Sequence, residues 1–88
     1  EYAVVPEESC IKMLDEIPDE VGALIGCAVT TGVGSVLNTA QVKKGDSVAV
    51  FGAGGVGLST IMGAAYAGAE NIISIDIVLE KSSMAKLL

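Results

Sequence analysis

Residues 50–59 read VFGAGGVGLS, with four glycines in six positions directly after an apolar run. Glycine in regular structure costs stability, because the unfolded chain has the most conformational freedom to lose there. Four together mark a backbone shaped for a task. From Gly52 to Gly57 the stretch spells G-x-G-x-x-G, and its surroundings give the pattern its meaning. Before it, SVAVF is short, apolar and β-branched, which predicts a buried strand. After it, VGLSTIMGAAYAG has a helical pattern, with Leu58, Ile61, Met62 and Ala65 expected on one apolar face and Gly68 as the stop. NIISID then reads as a second strand, apolar on both faces and ending in Asp76. Strand, helix and strand over roughly 30 residues make a βαβ unit, whose strands run parallel.

Each part of this unit has a physical task in binding a dinucleotide. Gly52 permits the tight strand-to-helix turn, Gly54 lets a pyrophosphate approach the backbone, and Gly57 lets the helix lie close to the strand. The first N–H groups of the helix have no partner within it, and the helix dipole there favours an anion. Asp76 stands nineteen residues after Gly57, near the spacing of about twenty expected for an acid that binds the adenosine ribose. A carboxylate there repels the extra phosphate of NADP. Ile77, Val78 and Leu79 follow, so no adjacent Arg offsets the repulsion, and NAD is the expected cofactor. Lys81 is either a contact to the ribose or a phosphate, or a solvated lysine at a helix start. The bland alternative is a Gly-rich turn with an unrelated surface Asp. Two others are an FAD loop, which usually opens its chain, and a methyltransferase loop, which has no need of Gly57.

The rest of the chain is less regular. EYAVV and SCIKML are short strand-like pieces separated by Pro6 and two glutamates. IPDEVGALIG carries a helix start, with Pro18 in the first turn and Asp19 and Glu20 at the positive end of the dipole. TTGVGSVLNTA predicts a separate helix, with Thr30 or Thr31 as its N-cap. KKGD forms a turn into the first strand, and a last helix starts near Glu80. The expected fold is α/β, in two portions, residues 1–40 and residues 41–88, the second opening a Rossmann-type parallel sheet with its βαβ unit.

Composition narrows the function. The chain has 88 residues, a net charge of −6 and no basic patch, which argues against a nucleic-acid partner. Tyr2, Phe51 and Tyr66 are its aromatics, too few for base stacking. No apolar stretch reaches the roughly eighteen residues of a membrane span without a Gly, polar or charged break, so no membrane is expected. Without histidine, the chain by itself can build no His-based triad or His-ligated metal. Cys10 and Cys27 form no CxxC, and a reduced, cytoplasmic setting is the default. By its residue type alone, each reads as a small buried core residue.

LIGCAVTTGVGSVLNTAQVKKGDSVAVFGAGGVGLSTIMGAAYAGAENIISID resembles the middle of a zinc-containing alcohol dehydrogenase of the medium-chain dehydrogenase/reductase family. The resemblance implies NAD and zinc as cofactors, a small alcohol or aldehyde as substrate, and a homo-oligomer as the full-length form. Cys27 matches the cysteine that binds the catalytic zinc, and Thr31 a residue against the nicotinamide. Gly52, Gly54, Gly55, Val56 and Gly57 match the pyrophosphate loop, with Val56 also near the nicotinamide. Asp76 matches the ribose acid that selects NAD, and Lys81 a lysine beside that ribose. Many members carry a polar residue where Val78 stands. The family's other zinc ligands and proton relay lie upstream, so no catalytic residue is assigned within these residues. The chain is expected to be an excerpt, inactive alone. A nucleotide-binding fragment, or a piece of a zinc-free reductase of the same superfamily, is the alternative.

Overall fold

The computed structural model describes residues 1–78 and 80–87. Leu79, part of the apolar run read after Asp76, lies outside them. A short 3-10 turn, Glu7–Ser9, precedes a long helix, α1 (Asp19–Thr39). Then come β1 (Ser47–Phe51), α2 (Gly55–Tyr66), β2 (Asn71–Ile75) and α3 (Lys81–Lys86).

The strand–helix–strand unit forms as its pattern predicts. β1 and β2 pair in parallel, with Ser47 opposite Asn71 and Phe51 opposite Ile75. The Gly52 N–H extends the ladder by donating to the Ile75 carbonyl at 2.7 Å. The KKGD turn launches β1: the Asp46 carboxylate accepts the Lys43 N–H at 2.8 Å, and Gly45 takes a φ of +91° that side chains rarely adopt. Gly68, at φ +86°, ends α2 as expected.

Four expectations about the fold are corrected, the last of them on the strands. The pieces EYAVV and SCIKML form no strand; Tyr2, Val4 and Ile11 are exposed, and no neighbouring strand receives their backbone groups. The two expected helices are one. Backbone from Val29 to Ser35 is α-helical, so Thr30 and Thr31 lie inside α1 and cap nothing. Two wide π turns, Ile25–Val29 and Ser35–Thr39, interrupt its regular winding. At the first, the Ile25 carbonyl accepts both the N–H and the hydroxyl of Thr30, which draws the chain into a wider turn. The third correction concerns α2. Its buried residues are Ser59, Ile61, Gly63 and Ala64, whereas Met62 and Ala65 are exposed. The helix is gripped on two sides, by the sheet and by α1, so its buried set is wider than one stripe.

The layers are therefore α1, then α2, then the sheet. Among the described residues, Val36, Val50, Ala53, Ile61 and Ala64 are the buried apolar ones. The strands, read as buried on both faces, are covered on one. Val50 is buried and Val48 and Ile72 half-buried on the α2 side, but Phe51, Ile73 and Ile75 lie open on the other. Among the described residues α1 is also the helix long and apolar enough, by length and composition, to cross a membrane. Its buried residues, Gly32 and Val36, face α2.

Candidate nucleotide-binding site

The glycine loop joins the C-terminal end of β1 to the start of α2, and each of its glycines meets a different constraint. Gly52 sits at φ +93°, in the left-handed region where a side chain is strained. A Cβ on Gly57 would come within 1.8 Å of the Gly52 carbonyl oxygen, so only glycine lets α2 start this close to β1. Gly54 has ordinary backbone angles (φ −76°, ψ −170°), and a Cβ there would meet nothing within 4 Å. Its bare backbone faces open space. No side chain caps the N-terminus of α2, which leaves the first-turn N–H groups turned to that space.

Asp76 follows the last residue of β2 and closes over the loop. One carboxylate oxygen, Oδ2, accepts the Ala53 N–H at 2.6 Å; the other, Oδ1, accepts the Val78 N–H at 2.8 Å. The Lys81 ammonium, from the start of α3, lies 3.8 Å from Oδ2. The Ala53 N–H first, then the Val78 N–H, hold the Asp76 carboxyl below its ordinary pKa; slight desolvation opposes them and Lys81 adds to the lowering. Asp76 is thus an anion tied into the loop. Each of its oxygens still has a lone pair for a hydroxyl donor. The bond to Ala53 ties Asp76 to the Gly-rich turn.

Cys27 and Thr31 are four residues apart on α1, which makes them neighbours along one side of that helix. Both are exposed, so Cys27 is not the buried core residue its type alone predicts, and neither is Cys10. The residues after each of them touch the loop helix. Ala28 Cβ lies 3.6 Å from where a Cβ on Gly55 would sit. At Gly32 a Cβ would fall 2.5 Å from the Val56 carbonyl oxygen and 2.5 Å from Ser59 Cβ. The fold therefore sets the Cys27–Thr31 stretch against the opening of α2. Among the described residues no group of three His, Cys, Asp or Glu side chains could hold a metal, so these residues alone do not make a zinc site.

Sequence reasoning missed three participants. Ala53 matters through its N–H, which no motif letter records. Ser59 is buried and donates its hydroxyl to the Gly55 carbonyl at 2.8 Å, satisfying itself within α2. Gly32 is the contact between the helices. The turn from Asp76 to Val78, in which the carboxylate accepts the N–H two residues on, is a common local motif that the sequence reading did not use.

Comparisons with known proteins agree with this geometry. No family model matches the chain. It is 49% identical over 85 residues to S-(hydroxymethyl)glutathione dehydrogenase of Komagataella pastoris, covering 97% of this chain and 22% of that protein. It is 49% identical over 86 residues to alcohol dehydrogenase class-3 of Caenorhabditis elegans, covering 98% and 22%. The chain thus spans about a fifth of the length of these curated relatives. Among solved structures it superposes on an alcohol dehydrogenase zinc-binding domain protein from Burkholderia ambifaria, with a TM-score of 0.82 and 44% identity over 88% of this chain and 21% of that one. Benzyl alcohol dehydrogenase from Acinetobacter calcoaceticus gives a TM-score of 0.79 and 38% identity, again over 88% and 21%. In sequence and in backbone, the chain is similar to one segment, about a fifth, of these alcohol dehydrogenases, the group its motifs resemble.

Proposed function

We propose that the protein containing these residues is an NAD-dependent alcohol dehydrogenase, interconverting an alcohol and an aldehyde or ketone by hydride transfer. One observation carries the cofactor assignment. The Asp76 carboxylate is tied to the loop before an uncapped helix N-terminus by its bond to Ala53 N–H, which supports reading the two as parts of one dinucleotide site. The residues present fit a dinucleotide: Gly54 leaves the space beside its backbone open, and Asp76 keeps acceptor capacity.

In this reading Gly52, Gly54, Gly55, Val56 and Gly57 receive the pyrophosphate. Their N–H groups and the α2 dipole stabilise its charge. Asp76 accepts the ribose hydroxyls and repels a phosphate in their place. Lys81, already beside Asp76, lies at the adenosine ribose. Thr31 and Val56 hold the nicotinamide end, supported by the contact of Gly32 with Val56. NAD, when bound, supplies the hydride chemistry. Cys27 contributes one thiolate to a zinc ion whose other ligands come from elsewhere in the protein. Residues 1–40 close the catalytic domain, and residues 41–88 open the NAD-binding domain. The whole protein is cytoplasmic and homo-oligomeric, and takes a small-molecule alcohol or aldehyde.

The test is a calorimetric titration of the full-length protein with NAD and with NADP, followed by an assay with ethanol and benzyl alcohol. The expected result is clear preference for NAD. Preference for NADP, or no nucleotide binding at all, overturns the assignment.

A further inference from the structure

The geometry points to Gly32 as a positioning residue: we infer that it sets the distance between the Cys27–Thr31 stretch of α1 and the nucleotide loop, and so couples the two halves of the site. The inference rests on the function proposed above. Gly32 lies directly after Thr31 and is buried against α2. A Cβ there would stand 2.5 Å from Ser59 Cβ, 2.5 Å from the Val56 carbonyl oxygen and 2.7 Å from the Thr60 nitrogen. Two of these three atoms are backbone, held inside α2, and cannot rotate away. A methyl at position 32 must therefore separate the helices by about 1 Å to reach ordinary contact distance. Val56, which Gly32 touches, is in the loop's first helical turn. Separation there moves Cys27 and Thr31 away from the cofactor's reactive end.

Gly63 is the natural comparator. It belongs to the same helix–helix contact but lies two turns further along α2, and a Cβ there would meet Val33 Cα at 3.1 Å and Val36 Cβ at 3.5 Å. That crowding is milder and far from the loop.

The distance can be read without any activity. Ala28 Cβ and a Cβ at position 55 stand 3.6 Å apart, within the span of a disulfide. In the full-length protein, with Cys10 and Cys27 replaced by Ser, Ala28→Cys and Gly55→Cys should cross-link readily under mild oxidation. Adding Gly32→Ala should slow that cross-linking about tenfold, since the gap then leaves the favoured Cβ–Cβ range. Adding Gly63→Ala instead should leave it within about twofold. Gly32→Ala combined with Ser59→Gly is a gentler variant that removes one of the three crowding atoms. It should still cross-link slowly, because the two backbone atoms remain. Unchanged cross-linking in both Gly32 variants overturns the inference, as does an equal loss with Gly63→Ala. An NAD titration of the otherwise unaltered protein separates the outcomes: failure to bind NAD sinks the proposed function, whereas normal NAD binding with unchanged cross-linking sinks only the role of Gly32.

Discussion

The Oδ2 of Asp76, just past β2, accepts a 2.6 Å hydrogen bond from the N–H of Ala53, the second residue of the glycine loop. The carboxylate proposed to recognise the ribose therefore also fixes the loop proposed to receive the pyrophosphate. These two roles depend on one charge, which makes the site sensitive to acid in a definite direction.

The native Asp76 carboxyl titrates below its ordinary value of 3.8, because the backbone N–H groups of Ala53, then Val78, with smaller help from Lys81 and the Ile77 N–H, favour the anion. A group whose folded pKa is lowered contributes stability that is complete above the unfolded value and lost as pH falls through the folded one. The loop should stay tied down through pH 4 and release only below 3.8. A carbon-13 titration of the Asp76 carboxyl, with the Ala53 amide proton followed alongside, should give one shared midpoint below 3.8. A midpoint above that value would mean that the Ala53 bond does not persist in solution.

Asp76→Gly should affect the two cofactors unequally. The repulsion of NADP disappears, but so do the anchors on Ala53 and Val78. NAD affinity should fall by about tenfold or more, the size of one charge-assisted hydrogen bond. NADP affinity should fall less or rise, so the preference narrows. Calorimetric titration with both nucleotides gives the two numbers, and an unchanged ratio would remove Asp76 from the selection.

The loop glycines should separate by task. Gly57→Ala places a Cβ 1.8 Å from the Gly52 carbonyl oxygen and should cost at least about 1–3 kcal/mol of stability, as overpacking does. Gly54→Ala meets nothing within 4 Å and should cost less than about 1 kcal/mol, yet its methyl enters the space left for the pyrophosphate and should weaken NAD. Thermal melts paired with nucleotide titrations distinguish the two. Equal loss of stability in both variants would show that Gly54 is structural.

The βαβ unit was legible because each signal in it is local. A β-branched run, a glycine pattern, a helix stop at Gly68 and an acid at position 76 lie within one supersecondary unit whose pieces pack on each other. The first forty residues were harder, because their partners lie elsewhere. EYAVV has strand composition, but a strand needs a neighbour for its backbone groups, and none stands beside it here. Thr30 and Thr31 have the chemistry of helix caps, yet apolar packing on α2 carries the helix straight through them. Cys27 looked like a core residue because cysteine usually is one. It is exposed, beside Ala28, which packs against Gly55 of the loop helix. Gly32 could not be distinguished from its neighbouring glycines without knowing which helix it touches.

Cys27→Ser in the full-length protein should lower the zinc content and abolish turnover while NAD binding largely survives. The motivation is the family motif and the placement of Cys27 beside the loop helix. In the 88-residue chain the thiols of Cys10 and Cys27 are both free and exposed. Both should react with a thiol reagent, and the chain should retain no zinc through gel filtration. Metal analysis checks each statement. A mutant with full zinc and full activity would leave Cys27 as a surface residue only.

The 88 residues alone should self-associate and show no alcohol dehydrogenase turnover. Their accessible surface is 6957 Å², whereas a compact monomer of this mass exposes about 4,800 Å². The radius of gyration, 14.7 Å, likewise exceeds the roughly 12 Å of a compact domain of this length. Folding buries about 46% of the extended-chain surface, short of the roughly 60% usual for small domains. The exposed surface is apolar where it matters. Phe51, Ile73 and Ile75 form a bare sheet face, and Leu37, Met62 and Tyr66 are exposed where α1 meets α2. Both strands of the sheet are also edges, whose unpaired N–H and C=O groups can recruit another chain. With five buried apolar residues among those described, the monomer has little to set against the entropy of ordering the chain. Sedimentation velocity should therefore show species larger than 8.9 kDa whose share grows with concentration. An ethanol or benzyl alcohol assay with added NAD and zinc should give no turnover. A sharp, concentration-independent melt of a monomer would mean that the open sheet face is tolerated in water.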